Sequence, residues 1–163
     1  MANLIASNIS ASFIIEGTPI YDRGKVAGAY SPCDIVYQAA DGTWTHADQA
    51  VAASLDYRTA VVGYKERIRS TGAKSSIDTA YATTDTGIPI LTGLVDGYGE
   101  FVCHIEDPGA TVYSNARWLF SNTAGTVEAL TAVAGSAAGD PEAPFTNRDT
   151  LVTGDLYMHA RWN

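Results

Sequence analysis

The sequence is short of charge. Only 17% of its 163 residues are Asp, Glu, Lys or Arg, against about a quarter in an average globular chain. The charge that exists is acidic, ten Lys and Arg against eighteen Asp and Glu, net −8. Such a chain repels phosphate at long range, which argues against nucleic acid as a direct partner. Long apolar runs are missing too. No stretch approaches the 18 or so consecutive apolar residues of a membrane-spanning helix, so no membrane is expected as a partner. The opening Met1-Ala2-Asn3-Leu4-Ile5-Ala6-Ser7 has no cationic start and no apolar core of signal-peptide length. A protein made in a cytoplasm is expected rather than an exported one.

Reaction chemistry is equally scarce. The chain contains no Gly-x-Ser-x-Gly, His-Glu-x-x-His, phosphate-binding loop or Gly-x-Gly-x-x-Gly. Its three histidines, His46, His104 and His159, lie in strand-like segments far apart, and none has a local partner of the kind a general base needs. The acidic stretch Asp96-Gly97-Tyr98-Gly99-Glu100 reads as a tight turn, and neither it, Asp107 nor Asp140-Pro141-Glu142 has the ligand spacing of a calcium loop. The two cysteines, Cys33 and Cys103, read as small buried hydrophobes, with a disulfide between them left open. Cys103 and His104 point to opposite faces of a strand and make a poor metal pair. The expectation is a protein that is no enzyme and carries no cofactor and no metal.

What is present is β-forming. Apolar residues make up 46% of the chain, enough for one domain with a real core. Period-2 segments and turn dipeptides dominate, and 3.6-period stretches are rare. Cys33–Tyr37 stops at Asp41-Gly42 and resumes at Trp44-Thr45-His46, a hairpin signal because Gly accepts the positive φ of the turn. Thr59–Tyr64 reads as a buried strand. Ile88–Gly97 reads as a strand pair or one bent strand, with Pro89 at an edge or a strand start. Glu100–Ile105, Arg117–Ser121, Thr126–Leu130 and Asp155–Trp162 follow as strands; in the last, Leu156, Met158, Ala160 and Trp162 share one face. Asp48–Leu55 is the one plausible short helix there, capped by Asp48. Residues 69–86 and 134–147 read as loop insertions. The expected fold is mainly β: a compact β-barrel, β-tulip-like or sandwich domain over residues 19–163, with one or two short helices.

Two segments share a grammar. Ile35–Trp44 and Trp118–Val127 both run large apolar, aliphatic, aromatic, then a small polar turn, then Gly-Thr and a large apolar residue. Gly42 and Gly125 are the equivalent turn glycines. Duplication and convergence on common hairpin chemistry both account for this.

The order "SPCDIVYQAADGTWTHA", "AVVGY", "IPILTGLVDGYGEFVC", "RWLFSNTAGTVEAL" and a final strand resembles the decoration, or cement, proteins of tailed-virus capsids. The resemblance spans about residues 25–133; where such families carry Gly-Asp before the first hairpin strand, this chain has Cys33-Asp34. It implies a compact β subunit, commonly a homotrimer, that sits on the outer capsid surface of the virion. There it would bind the major capsid protein and hold the shell against internal pressure. It also implies that an extended N-terminal arm, residues 1–18, contacts the shell through Leu4, Ile5, Ile9, Phe13, Ile14 and Ile15. An ordinary first strand of the core is the other reading of that segment. Nine Tyr and three Trp against four Phe suit either interface rings or the rim of a small barrel. Trp162, beside the C-terminus, needs a neighbouring strand or subunit to cover it. A carbohydrate-binding or adhesive β-module and another virion part, such as a tail-tube or head-completion protein, are the alternatives.

Overall fold

The computed structural model describes residues 3–5, 13–48, 59–63, 79–109, 113–114, 117–121, 125–129 and 142–162. The strands are β1 (Ile14–Glu16), β2 (Pro19–Gly24), β3 (Ile35–Gln38), β4 (Trp44–His46), β5 (Thr59–Val62), β6 (Ile88–Leu94) and β7 (Glu100–His104). They continue with β8 (Tyr113–Ser114), β9 (Arg117–Phe120), β10 (Val127–Ala129), β11 (Glu142–Asn147), β12 (Thr150–Leu151) and β13 (Tyr157–Trp162). All ladders are antiparallel. One sheet has the order β1-β7-β13-β11-β9-β10, a second the order β2-β6-β5-β3-β4, and β12-β8 form a small third. The fold is mainly β, as expected, but it is not a closed barrel. Ile105, just past β7, bridges Val127 of β10, so the larger sheet curls back on itself without a continuous ladder to seal it.

The inner strands of the five-stranded sheet, β5 and β6 with the start of β3, are buried on both sides. Alternation along its strands sends Ile35, Val61 and Leu91 into the main core with Phe101, Cys103, Phe145, Met158 and Ala160 of the larger sheet. It sends Val36, Ala60, Val62 and Ile90 into a second cluster with Val26, Tyr30, Trp44, Tyr81 and Ile88. This explains why Ala60-Val61-Val62 is a continuous apolar run rather than an alternating one. Lys25–Tyr30 crosses this outer side as irregular chain. Single bridges from Val26 to Trp44 and from Tyr30 to Tyr81 pin it there.

The two hairpins form where the turn chemistry placed them. Val36, Tyr37 and Gln38 face His46, Thr45 and Trp44, and Phe120, Leu119 and Trp118 face Val127, Glu128 and Ala129. Gly42 and Gly125 have nearly the same φ, 85° and 86°. Ile88–Leu94 is one continuous strand in the middle of its sheet, and Pro89 lies near its start, opposite Arg23. A short 3-10 turn, Val95–Gly97, follows.

Residues 142–147, expected as loop, form β11 between β9 and β13. Pro144 fits because the ladder to β9 jumps between Glu142 and Thr146, an irregularity where the missing N–H is tolerated. Leu156 precedes the last strand and is exposed, so the shared face is Met158, Ala160 and Trp162. The expected helix beyond Asp48 and the basic part of the 69–86 loop lie outside the described residues.

Candidate functional site

Cys33 is not in a strand. It occupies a turn with φ 77°, fully buried, where its N–H donates to Val62 O at 2.7 Å and its carbonyl accepts from His104 N at 3.0 Å. The turn therefore joins β5 of one sheet to β7 of the other, and it delivers the next residue, Asp34, into the seam. One carboxylate oxygen of Asp34 lies 2.7 Å from His46 Nε2 and the other 2.9 Å from His104 Nδ1. Ser31 N adds a third bond at 2.9 Å. The rings are fixed from behind: Tyr30 stacks on His46 at 3.6 Å between centroids and Tyr157 on His104 at 5.0 Å.

Burial works to raise the pKa of Asp34, but the hydrogen bonds from His104, His46 and Ser31 outweigh it and hold the carboxyl below its ordinary value. An ionised carboxylate only accepts, so both imidazoles present an N–H to it. The His46–Asp34–His104 bridge was not legible locally, because its members are 12 and 70 residues apart. Its chemistry is that of a clamp. Both carboxylate oxygens are occupied, and no group of three His, Cys, Asp or Glu among the described residues is arranged to hold a metal. Cys33 and Cys103 are buried and not joined in a disulfide, and burial pushes the Cys103 thiol far up, away from a nucleophilic thiolate.

A second saturated carboxylate ties down the N-terminus. Asp155, buried, accepts Leu4 N and Val152 N, each at 2.7 Å. Leu4 O accepts from Leu156 N and Tyr157 N at 3.0 and 3.1 Å. His159 and Asp149 form another pair at 2.8 Å. At the start of β7, Glu100 faces Arg161 across the ladder and holds it at 2.8 Å, with Arg148 at 3.1 Å on the other oxygen.

The residues expected to meet a partner are distributed differently. Phe13 is buried in the main core against Phe101. Ile14 and Ile15, half-buried, belong to β1, which pairs with β7. Leu4 and Ile5 are half-buried, and Leu4 packs on the core. Ile9 lies outside the described residues. Trp162 is half-buried, with Phe101 and Phe145 at 5.4 and 5.1 Å, so this chain's own strands cover most of it. Trp44 and Trp118 are fully buried, which leaves neither of them open for stacking on a sugar. The large hydrophobic side chains left exposed among the described residues are Ile20, Tyr21, Val95, Tyr98 and Leu156.

No protein-family model and no curated protein matches the sequence. Among solved structures, three chains match. One belongs to "The capsid of Myoviridae Phage XM1", with a TM-score of 0.51 and 17% identity over 100% of this chain and 92% of that one. The two share a fold along nearly their whole lengths.

Proposed function

We propose that this protein is a virion structural component that binds the outer surface of an icosahedral capsid and stabilises it through contacts with the major capsid protein. The observation that carries this reading is the fold shared, end to end, with a chain from a phage capsid. Three features support it. The buried carboxylates Asp34 and Asp155 are saturated by hydrogen bonds and serve as structural clamps. The described histidines are each bound to a carboxylate. The acidic surface suits a place outside a DNA-filled shell rather than against its contents. Many copies, each burying about 800 Å² per partner, would multiply weak single contacts by avidity, and more so as trimers.

The test is co-sedimentation of the purified chain with expanded, empty capsids assembled from the major capsid protein of the same virus. Saturable binding at a fixed copy number per shell is expected. A chain that stays in the supernatant at micromolar concentration overturns the reading. Light scattering on the free protein separates a trimer from a monomer that trimerises only on the lattice.

A further inference from the structure

Ten Lys and Arg serve this acidic chain, and of the four whose side chains are described, two meet on one carboxylate. The Glu100 side chain is 7% exposed, while Arg148 and Arg161 are 48% and 55% exposed. Arg148 engages Glu100 through Nη1 and Arg161 through Nε, so the remaining N–H donors of both forks are unclaimed among the described residues. A buried carboxylate thus holds two guanidiniums in fixed positions while spending only part of their donor capacity.

Tyr98, at 66% the most exposed large hydrophobic side chain among the described residues, lies two residues before Glu100 in the turn that leads into β7, and its electrostatic influence reaches Arg161. It is held in place. Its hydroxyl donates to Glu16 Oε1 at 3.1 Å. Its loop turns through positive φ at Asp96, Gly97 and Gly99. Gly17 and Gly99 pack backbone to backbone so tightly that a Cβ on Gly17 would lie 2.6 Å from Tyr98 O. Trp162 N also bonds Gly99 O. Exposed Val95 and Ile20 flank the same turn: Val95 N bonds Thr18 O, and Ile20 pairs with Gly93.

We propose that Tyr98 with the Glu100-anchored Arg148 and Arg161 is the contact point for a protein segment that carries a carboxylate next to an apolar side chain, contributed by the capsid subunit. This rests on the proposed function above. Rigid Tyr and Arg side chains suit the centre of an interface, because little freedom is lost when a partner docks. With Glu16 counted against the two arginines and Glu100, the patch is close to neutral. It recognises by the geometry of its forks, which fits a single carboxylate taken bidentately better than a polyphosphate that needs a strong positive field.

The experiment compares the full chain with Tyr98→Ala and Arg148→Gln in binding to empty capsids, with Leu156→Ala, an exposed apolar change elsewhere, as the control. Arg148→Gln leaves Arg161 on Glu100, and thermal unfolding reports that each variant is folded. Expected is an affinity loss of about tenfold for each of the two site variants and none for the control. If the wild type binds and both site variants bind equally well, this inference fails while the proposed function stands. If the wild type does not bind, both fail. Retention of a duplex DNA oligonucleotide by the wild type but not by Arg148→Gln assigns the pair to phosphate and overturns the carboxylate reading.

Discussion

At the scale of single residues, the Asp34 carboxylate takes hydrogen bonds from three partners, Ser31, His46 and His104. Replacing it by Asn keeps the shape but removes the charge and one of the two acceptors facing imidazole N–H groups. Charge-assisted hydrogen bonds contribute about 1.5–3 kcal/mol each, so Asp34→Asn is expected to lower unfolding free energy by about 2–4 kcal/mol in urea titration. Its pH signature has a defined sign. A carboxyl held below its ordinary value contributes in full above about pH 4, and that contribution is lost as pH falls through the lowered folded-state pKa. Asp149 is lowered by its His159 hydrogen bonds against the opposing effect of burial, and acts in the same window. The acid limb of the stability curve should therefore be shallower in Asp34→Asn than in the wild type, as read by denaturation midpoints between pH 2 and 6. Trp162 gives a second test. Packed on Phe101 and Phe145 but only half-buried, it should lose about 2 kcal/mol as Trp162→Ala, less than the 3–5 typical of a fully buried ring. A loss near zero would mark Trp162 as a side chain kept for a partner.

Among the elements, the hairpins were legible because their information is local. Gly42 and Gly125 stand where the turn demands positive φ, and the flanking residues alternate. Their equal φ values conceal unequal surroundings. A Cβ on Gly42 meets nothing within 4 Å, whereas on Gly125 it lies 2.8 Å from His46 Cδ2. Gly42→Ala should cost about 1–2 kcal/mol for the left-handed backbone alone. Gly125→Ala should cost that and more, because the His46 ring cannot yield without leaving Asp34. Denaturant midpoints of the two variants make the comparison. A smaller shift for Gly125→Ala would show that the clamp adjusts freely. What was not legible has physical reasons too. β11 carries Pro144, and proline signals a loop unless a bulge is there to receive it, which only the pairing with β9 provides. β2 has four consecutive exposed residues, Ile20–Arg23, and so lacks the alternation that marks a half-buried strand. The Asp34 bridge needed a turn with positive φ at Cys33, a residue type that gives no hint of it.

For the whole molecule, the N-terminus deserves a cleaner cut than its first eighteen residues. Removing 1–18 would delete buried Phe13 and the strand β1, so loss of capsid binding could reflect a damaged core. Removing 1–12 keeps both. It withdraws Leu4 from Asp155, and a buried carboxylate that loses a backbone partner costs about 1–3 kcal/mol. A modest fall in melting temperature is expected, measured by calorimetry. If capsid occupancy falls to nothing while the melting temperature shows the domain folded, the first twelve residues are the arm. If occupancy is unchanged, they serve only their own chain. The interlock of the two similar hairpins has a consequence of another kind. Ile35 N donates to Gly125 O at 2.8 Å, and Gly125 N donates to Ala47 O at 2.9 Å, so the turn of the later hairpin is clasped between the two ends of the earlier one. Neither hairpin reaches its final setting until some eighty residues of intervening chain have been brought back. That long closure is an entropic toll taken before any reward. It places this small protein among the slow folders and makes its folded state hard to open one hairpin at a time.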